Sequence, residues 1–90
     1  MATEILNSQL IKTADDLGQV VRHYRKAKGL KQDTVASLSG VSTGFLSNFE
    51  NGKPTAEIGK VLQVLQTLGL DLHVIQRNNQ PVSGFGKLAK

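Results

Sequence analysis

Cysteine is absent from this 90-residue chain, which rules out disulfides, thiolate zinc sites and a cysteine nucleophile together. The fold must therefore be held by packing. No apolar run approaches the ~18 residues of a membrane span, and the first residues lack the basic-then-apolar order of a secretory signal, so a cytoplasmic location is expected. The two histidines, His23 and His73, stand far apart with no acidic ligand spacing around them, and no metal site is expected. Serines gather at Ser37, Ser39, Ser42 and Ser47, but a nucleophile needs a base and an oxyanion hole, and no such assembly is legible. No catalytic residue and no cofactor is assigned, and the chain is not read as an enzyme.

What is present is the composition of an ordinary globular chain, 39% hydrophobic and 20% charged. A chain this short buries only about 60% of the surface its unfolded form exposes, so part of its stability is expected from a partner subunit. The net charge of +4 favours anionic partners such as nucleic acid.

Along the chain, Leu17, Val20, Val21 and Tyr24 fall at i, i+3, i+4 and i+7, one stripe of an amphipathic helix running from Thr13 to Gly29. Thr13 with Asp16 three residues on reads as its N-terminal cap, and Gly29 as its stop. Acidic Asp15 and Asp16 open it and Arg25, Lys26 and Lys28 close it, as the helix dipole prefers. A second short helix is predicted from about Gln32 to Ser39, burying Val35, Ala36 and Leu38, with Gly40 supplying the reversal and Val41 plugging the turn. Ser42 reads as the cap of a third helix reaching Asn51, with Leu46 and Phe49 inward and Gly52 ending it. Phe45 is read as core against Phe49. A fourth helix, from about Thr55 to Thr67, is predicted to bury Ile58, Val61, Leu62, Leu65 and Leu68.

From Leu70 to Gln76 the period changes to an apolar/polar alternation, the pattern of a half-buried strand. A lone strand leaves its backbone groups unsatisfied. The N-terminal Glu4-Ile5-Leu6 stretch is a weak internal partner, and the same strand of a second subunit is the simpler one, closing a ribbon across a two-fold axis through Leu70, Leu72 and Val74. The expected organisation is an N-terminal segment over residues 1–12, a helical domain over 13–69, a dimerisation strand over 70–77 and a mobile tail over 78–90.

The informative stretch is Gly29-Leu30-Lys31-Gln32, Ala36, Gly40-Val41-Ser42 and Phe49-Glu50-Asn51-Gly52-Lys53. At these spacings it resembles the helix-turn-helix of phage repressors and Cro proteins (XRE type), over about residues 14 to 69. The resemblance implies an all-α, lambda-repressor-like domain of four to five helices followed by the short C-terminal strand. It also implies that Arg25 and Glu50 form a buried ion pair joining the first and third helices. The third helix would then lie in the major groove with its first turn toward the base edges. That placement makes Ser42, Thr43, Gly44, Ser47 and Asn48 the base-reading candidates; Asn48 suits adenine, and Gly44 allows close backbone approach. Gln32, Lys31, Asn51 and Lys53, with Arg22 on the first helix, are the phosphate candidates.

A narrower resemblance is carried by Gly52-Lys53-Pro54-Thr55-Ala56, Gly59-Lys60-Val61-Leu62, Leu65 and Leu68-Gly69-Leu70-Asp71-Leu72, together with the run from Leu10 to Gly18. These look like HipB-type antitoxins. The resemblance implies a homodimeric autorepressor that binds inverted repeats in double-stranded DNA upstream of its own operon and also binds a HipA-like serine/threonine kinase toxin. A stand-alone phage-type repressor without a toxin partner, and a protein-interaction module that has lost DNA binding, are compatible with the same residues.

Overall fold

A computed structural model describes residues 8–77; the first seven residues, with the weak Glu4-Ile5-Leu6 pairing candidate, and the tail assigned to 78–90 lie outside the described residues. Four helices make up the described fold: α1 Ala14–Ala27, α2 Gln32–Ser39, α3 Thr43–Glu50 and α4 Ile58–Thr67.

The start of α1 is set locally. The Asp16 amide donates to the Thr13 hydroxyl at 3.0 Å while the Asp16 carboxylate accepts from the Thr13 amide at 3.1 Å, a reciprocal capping box. The Lys12 amide adds a third bond to the same carboxylate and draws the acid below its ordinary value. At the far end of α2, Gly40 takes the left-handed conformation, φ 72° and ψ 28°, which a Cβ would penalise. This lets the Val41 amide reach back to the Ala36 carbonyl at 3.0 Å. The turn between α2 and α3 is thus only Gly40, Val41 and Ser42, and the Ser42 hydroxyl accepts from the Phe45 amide at 2.9 Å to start α3.

The core is Val21 from α1, Val35 and Ala36 from α2, Leu46 and Phe49 from α3, and Val61, Val64, Leu65 and Leu68 from α4 and its end. Leu17, Leu30, Val41, Phe45, Ala56 and Leu70 pack around it. α1 packs on α3, and α2 packs on both α3 and α4. A hydroxyl pair supplements the second of these contacts: Ser39, buried on α2, lies 2.7 Å from the Thr67 hydroxyl of α4.

The structure corrects two inward faces. Leu38 is 70% exposed and Ser39 takes its place inside, because the buried arc of α2 is centred between Val35 and Ala36 and Leu38 lies about 110° from it at ~100° per residue. On α4 the buried row is Val61, Val64, Leu65 and Leu68, a rotation that puts Ile58 and Leu62 outside. This helix also begins at Ile58 rather than near Thr55. Among the described residues, 71–76 form neither helix nor ladder, and their side chains are exposed. Among the described residues, no helix is long and apolar enough to cross a membrane.

Gly18 decides how closely α1 approaches α3. It is buried, and a Cβ at this position would run into the carbonyl oxygen of Phe49, a backbone atom that cannot swing aside. Intrinsic helix propensity favours alanine over glycine by ~1 kcal/mol, so Gly18→Ala sets propensity against packing. Packing should win: the variant is expected to lose about 2 kcal/mol net, as overpacked cores do. It should be read as a lower urea midpoint at unchanged slope. An unchanged or higher midpoint would show that the two helices are free to separate.

Candidate nucleic-acid interface

The site begins with an ion pair. On α1 the helical period turns Arg25 inward beside Val21, and on α3 it turns Glu50 inward beside Leu46 and Phe49. Arg25 Nε donates to Glu50 Oε2 at 2.7 Å and an Arg25 terminal nitrogen donates to Glu50 Oε1 at 2.9 Å, a two-point geometry specific to guanidinium. The other terminal nitrogen donates to the Leu30 carbonyl at 2.8 Å, holding the loop between α1 and α2. Gln32, the first residue of α2, donates its side-chain amide to Glu50 Oε1 at 3.0 Å. One carboxylate therefore gathers three helices.

Burial pushes the Glu50 carboxyl up, but the hydrogen bonds from Arg25 and Gln32 and the charges of Arg25 and Arg22 outweigh it, so the acid sits below its ordinary value. The Glu50 bonds likewise hold the Arg25 guanidinium charged. No buried side-chain nitrogen or oxygen among the described residues is left without a partner.

With that face held inward, the opposite face of α3 is displayed. Of the base-reading candidates, Ser42, Thr43, Gly44 and Asn48 are exposed and Ser47 is half-buried, all on one side of the helix or its cap. Two already have internal partners. The Ser42 oxygen is used in the cap, and the Thr43 hydroxyl donates to Asp33 of α2 at 2.7 Å. Around this face stand the phosphate candidates. Lys31 precedes α2 in extended backbone, and no side chain caps that helix, so its first amides are not taken up by one. Asn51 closes α3 and Lys53 follows two residues later, both exposed. Arg22 and Asn51 line one shallow groove together with Asp15, Gln19, His23, Lys26 and Glu50. Gln32 is the candidate the structure places differently from a free contact, since one amide hydrogen is engaged by Glu50.

Three contributors were not read from the sequence. Asp33 engages Thr43; Gly18 admits α3; and Lys60 of α4 sets its ammonium 5.6 Å from the centre of the Phe45 ring, which itself stacks on Phe49 at 6.2 Å. A glycine inside a well-capped amphipathic helix is the one signal among these that sequence carries. His23 stacks edge-on against Tyr24, and among the described residues no three metal-binding side chains come together.

A family profile described as a helix-turn-helix domain matches residues 16–77. The chain is 52% identical over 65 residues to an uncharacterised HTH-type transcriptional regulator, y4mF, of Sinorhizobium fredii, covering 72% of this chain and 86% of that protein. It is 33% identical over 60 residues to the ImmF control region 10 kDa protein of Bacillus phage phi105, covering 67% of each. Among solved structures it is similar to HipB in a HipB-O4 20-mer complex, with TM-score 0.71 and 25% identity, covering 77% of this chain and 97% of that one. It is equally similar to a chain of a HipA-HipB-O2-O3 complex, with TM-score 0.72 and 25% identity at the same coverage.

The ion pair yields a pH prediction. Removing one partner of a buried pair leaves the survivor charged and unsatisfied, so Glu50→Ala should cost roughly 3–5 kcal/mol at neutral pH. Because the folded-state value of Glu50 is depressed, its contribution is complete above the unfolded chain's value of about 4.3 and is lost as the pH falls through the folded value. Denaturant titrations at a series of pH values should therefore show the parent and Glu50→Ala curves converging in acid. A gap that stays constant into strong acid would contradict the charge-paired role.

Proposed function

The chain belongs to the helix-turn-helix family of transcriptional regulators and is HipB-like in fold, and from that premise we propose that it is a dimeric, sequence-specific DNA-binding repressor that also serves as the antitoxin of a toxin–antitoxin pair. In this reading it represses its own operon through an inverted repeat and binds a HipA-like serine/threonine kinase.

The observation that carries the DNA reading is the division of α3 into two faces. Leu46, Phe49 and Glu50 are buried, while Ser42, Thr43, Gly44 and Asn48 stand exposed, with half-buried Ser47 among them. The first turn of such a helix offers side chains to the base edges, and its flanks offer positions for the backbone. Lys31, Lys53 and Arg22 supply charge for phosphates, Asn51 and Gln32 supply amides, and the α2 N-terminus supplies backbone N–H groups. Residues 13–69 form the DNA-binding unit in this account.

Two features support the dimer. The segment 70–77 alternates apolar and polar residues and has no strand partner among the described residues, and Val74 and Ile75 are 88% and 70% exposed. Ile58 and Leu62, one turn apart on α4, add further exposed apolar surface. A second copy pairing through Leu70, Leu72 and Val74 satisfies the backbone and covers apolar side chains together. The antitoxin role is supported by the likeness to HipB, a protein found in a HipA-HipB complex. The relative from a phage control region favours the second reading, a stand-alone repressor.

Substitutions separate the two kinds of DNA contact. Lys53→Ala should weaken binding to the upstream repeat and to unrelated duplex alike. Asn48→Ala should weaken the repeat by about 1–3 kcal/mol and spare unrelated duplex; equal losses on both would remove Asn48 from the base-reading set. Assembly is tested by sedimentation of the chain, alone and co-expressed with the adjacent downstream reading frame. The full chain should run as a dimer and a chain ending at Gly69 as a monomer, and a truncated dimer would contradict the ribbon. A kinase-sized partner that stays bound through high salt is the result expected of an antitoxin; no partner, with repeat binding intact, would leave the stand-alone repressor.

A further inference from the structure

Thr43 is the first residue of α3 and Asp33 the second residue of α2, and the short turn brings their exposed side chains together. The Thr43 hydroxyl donates to Asp33 Oδ1 at 2.7 Å. An ionised carboxylate only accepts, and a hydroxyl has one proton and two lone pairs, so this bond commits the proton and leaves Thr43 only acceptor capacity. Its neighbour is polarised in the opposite sense. The Ser42 oxygen accepts the Phe45 amide, which leaves its proton to donate.

We propose that Asp33 is a positioning residue for sequence readout: by holding the proton of Thr43 it makes that side chain an acceptor, which selects a base offering an amino group in the major groove. On the contacted strand those bases are cytosine, through N4, and adenine, through N6. Guanine and thymine present acceptors at the corresponding edges and meet lone pairs instead. Turning the hydroxyl toward guanine or thymine would break the bond and strip Asp33 of its partner. The carboxylate also stands in the first turn of α2, beside the amides assigned to a phosphate, so it repels the backbone that the helix end attracts. The arrangement exchanges some general affinity for discrimination at one base. It rests on the reading above that the first turn of α3 faces the bases.

The experiment is selection of bound duplexes by the full-length chain from a library randomised across both half-sites, with affinity for unrelated duplex measured in parallel. The parent should restrict one position per half-site to adenine or cytosine, and Thr43→Val, which keeps the shape and removes the hydroxyl, should relax that position. Asp33→Ala should admit guanine and thymine at the same position, losing about fivefold discrimination, the equivalent of one ordinary hydrogen bond, while affinity for unrelated duplex holds or rises. The double variant Asp33→Ala/Thr43→Val should match Thr43→Val alone.

If Thr43→Val relaxes the position and Asp33→Ala does not, Thr43 reads a base without Asp33 and the proposal is overturned. If Thr43→Val changes no position, the base-reading role of Thr43 fails and takes the proposal with it. A uniform loss of affinity in Asp33→Ala with the preference intact would mark Asp33 as structural only.

Discussion

The Glu50 carboxylate is where the architecture closes. It accepts two bonds from Arg25 on α1 and one from Gln32 on α2 while belonging to α3, and Arg25 spends its remaining reach on the loop at Leu30. A charge pair removed from water is costly unless every donor and acceptor is matched, and here they are matched. The apolar core of Val21, Leu46 and Phe49 beside it is non-directional and tolerates small rotations. The two-point bond does not. It sets the roll of α3 about its own axis and, with it, which side chains face outward.

That roll connects the packing to the proposed function. Holding Glu50 inward leaves Thr43, Gly44 and Asn48 outward at helical spacing, while the turn of Gly40, Val41 and Ser42 places the start of α2 next to them. Gln32 belongs to both groups. It is a phosphate candidate whose amide is already oriented by the ion pair, so its geometry is fixed before any ligand arrives. Apart from Leu10 before α1 and Leu38 on α2, the large exposed apolar residues lie elsewhere, at Ile58 and Leu62 on α4 and in the segment after it. The candidate DNA face and the candidate dimer surface are consequently carried by different elements, α2 and α3 on one side and α4 with the segment after it on the other, joined where α2 packs on α4.

Much of the helical frame was legible in the residues because it is local. Thr13 with Asp16 marks the start of α1, and Ser42 marks the start of α3, each through bonds spanning three residues. Gly40 marks the turn because few other residues tolerate its φ of 72°. The inward faces of α2 and α4 were less legible. A helix of eight or ten residues rich in apolar side chains admits two rotations, and only the neighbouring helices choose between them; Leu38, Ile58 and Leu62 were expected inside and stand outside for that reason. The Arg25 and Glu50 pairing is separated by 25 positions and followed from family resemblance rather than from periodicity. The contact of Asp33 with Thr43 and the close approach at Gly18 depend on the angle and distance between helices, which no local pattern encodes.

The central claim is that this surface engages the phosphates of a duplex, and the dependence of binding on salt tests it most directly. A duplex carrying the repeat upstream of the gene would be titrated with the full-length chain over a series of salt concentrations. Arg22, Lys31 and Lys53 from each of two subunits predict a line of slope about −5 in log K against log salt, from counterion release on phosphate neutralisation. A slope near zero would contradict the interface described for α2, α3 and their flanks.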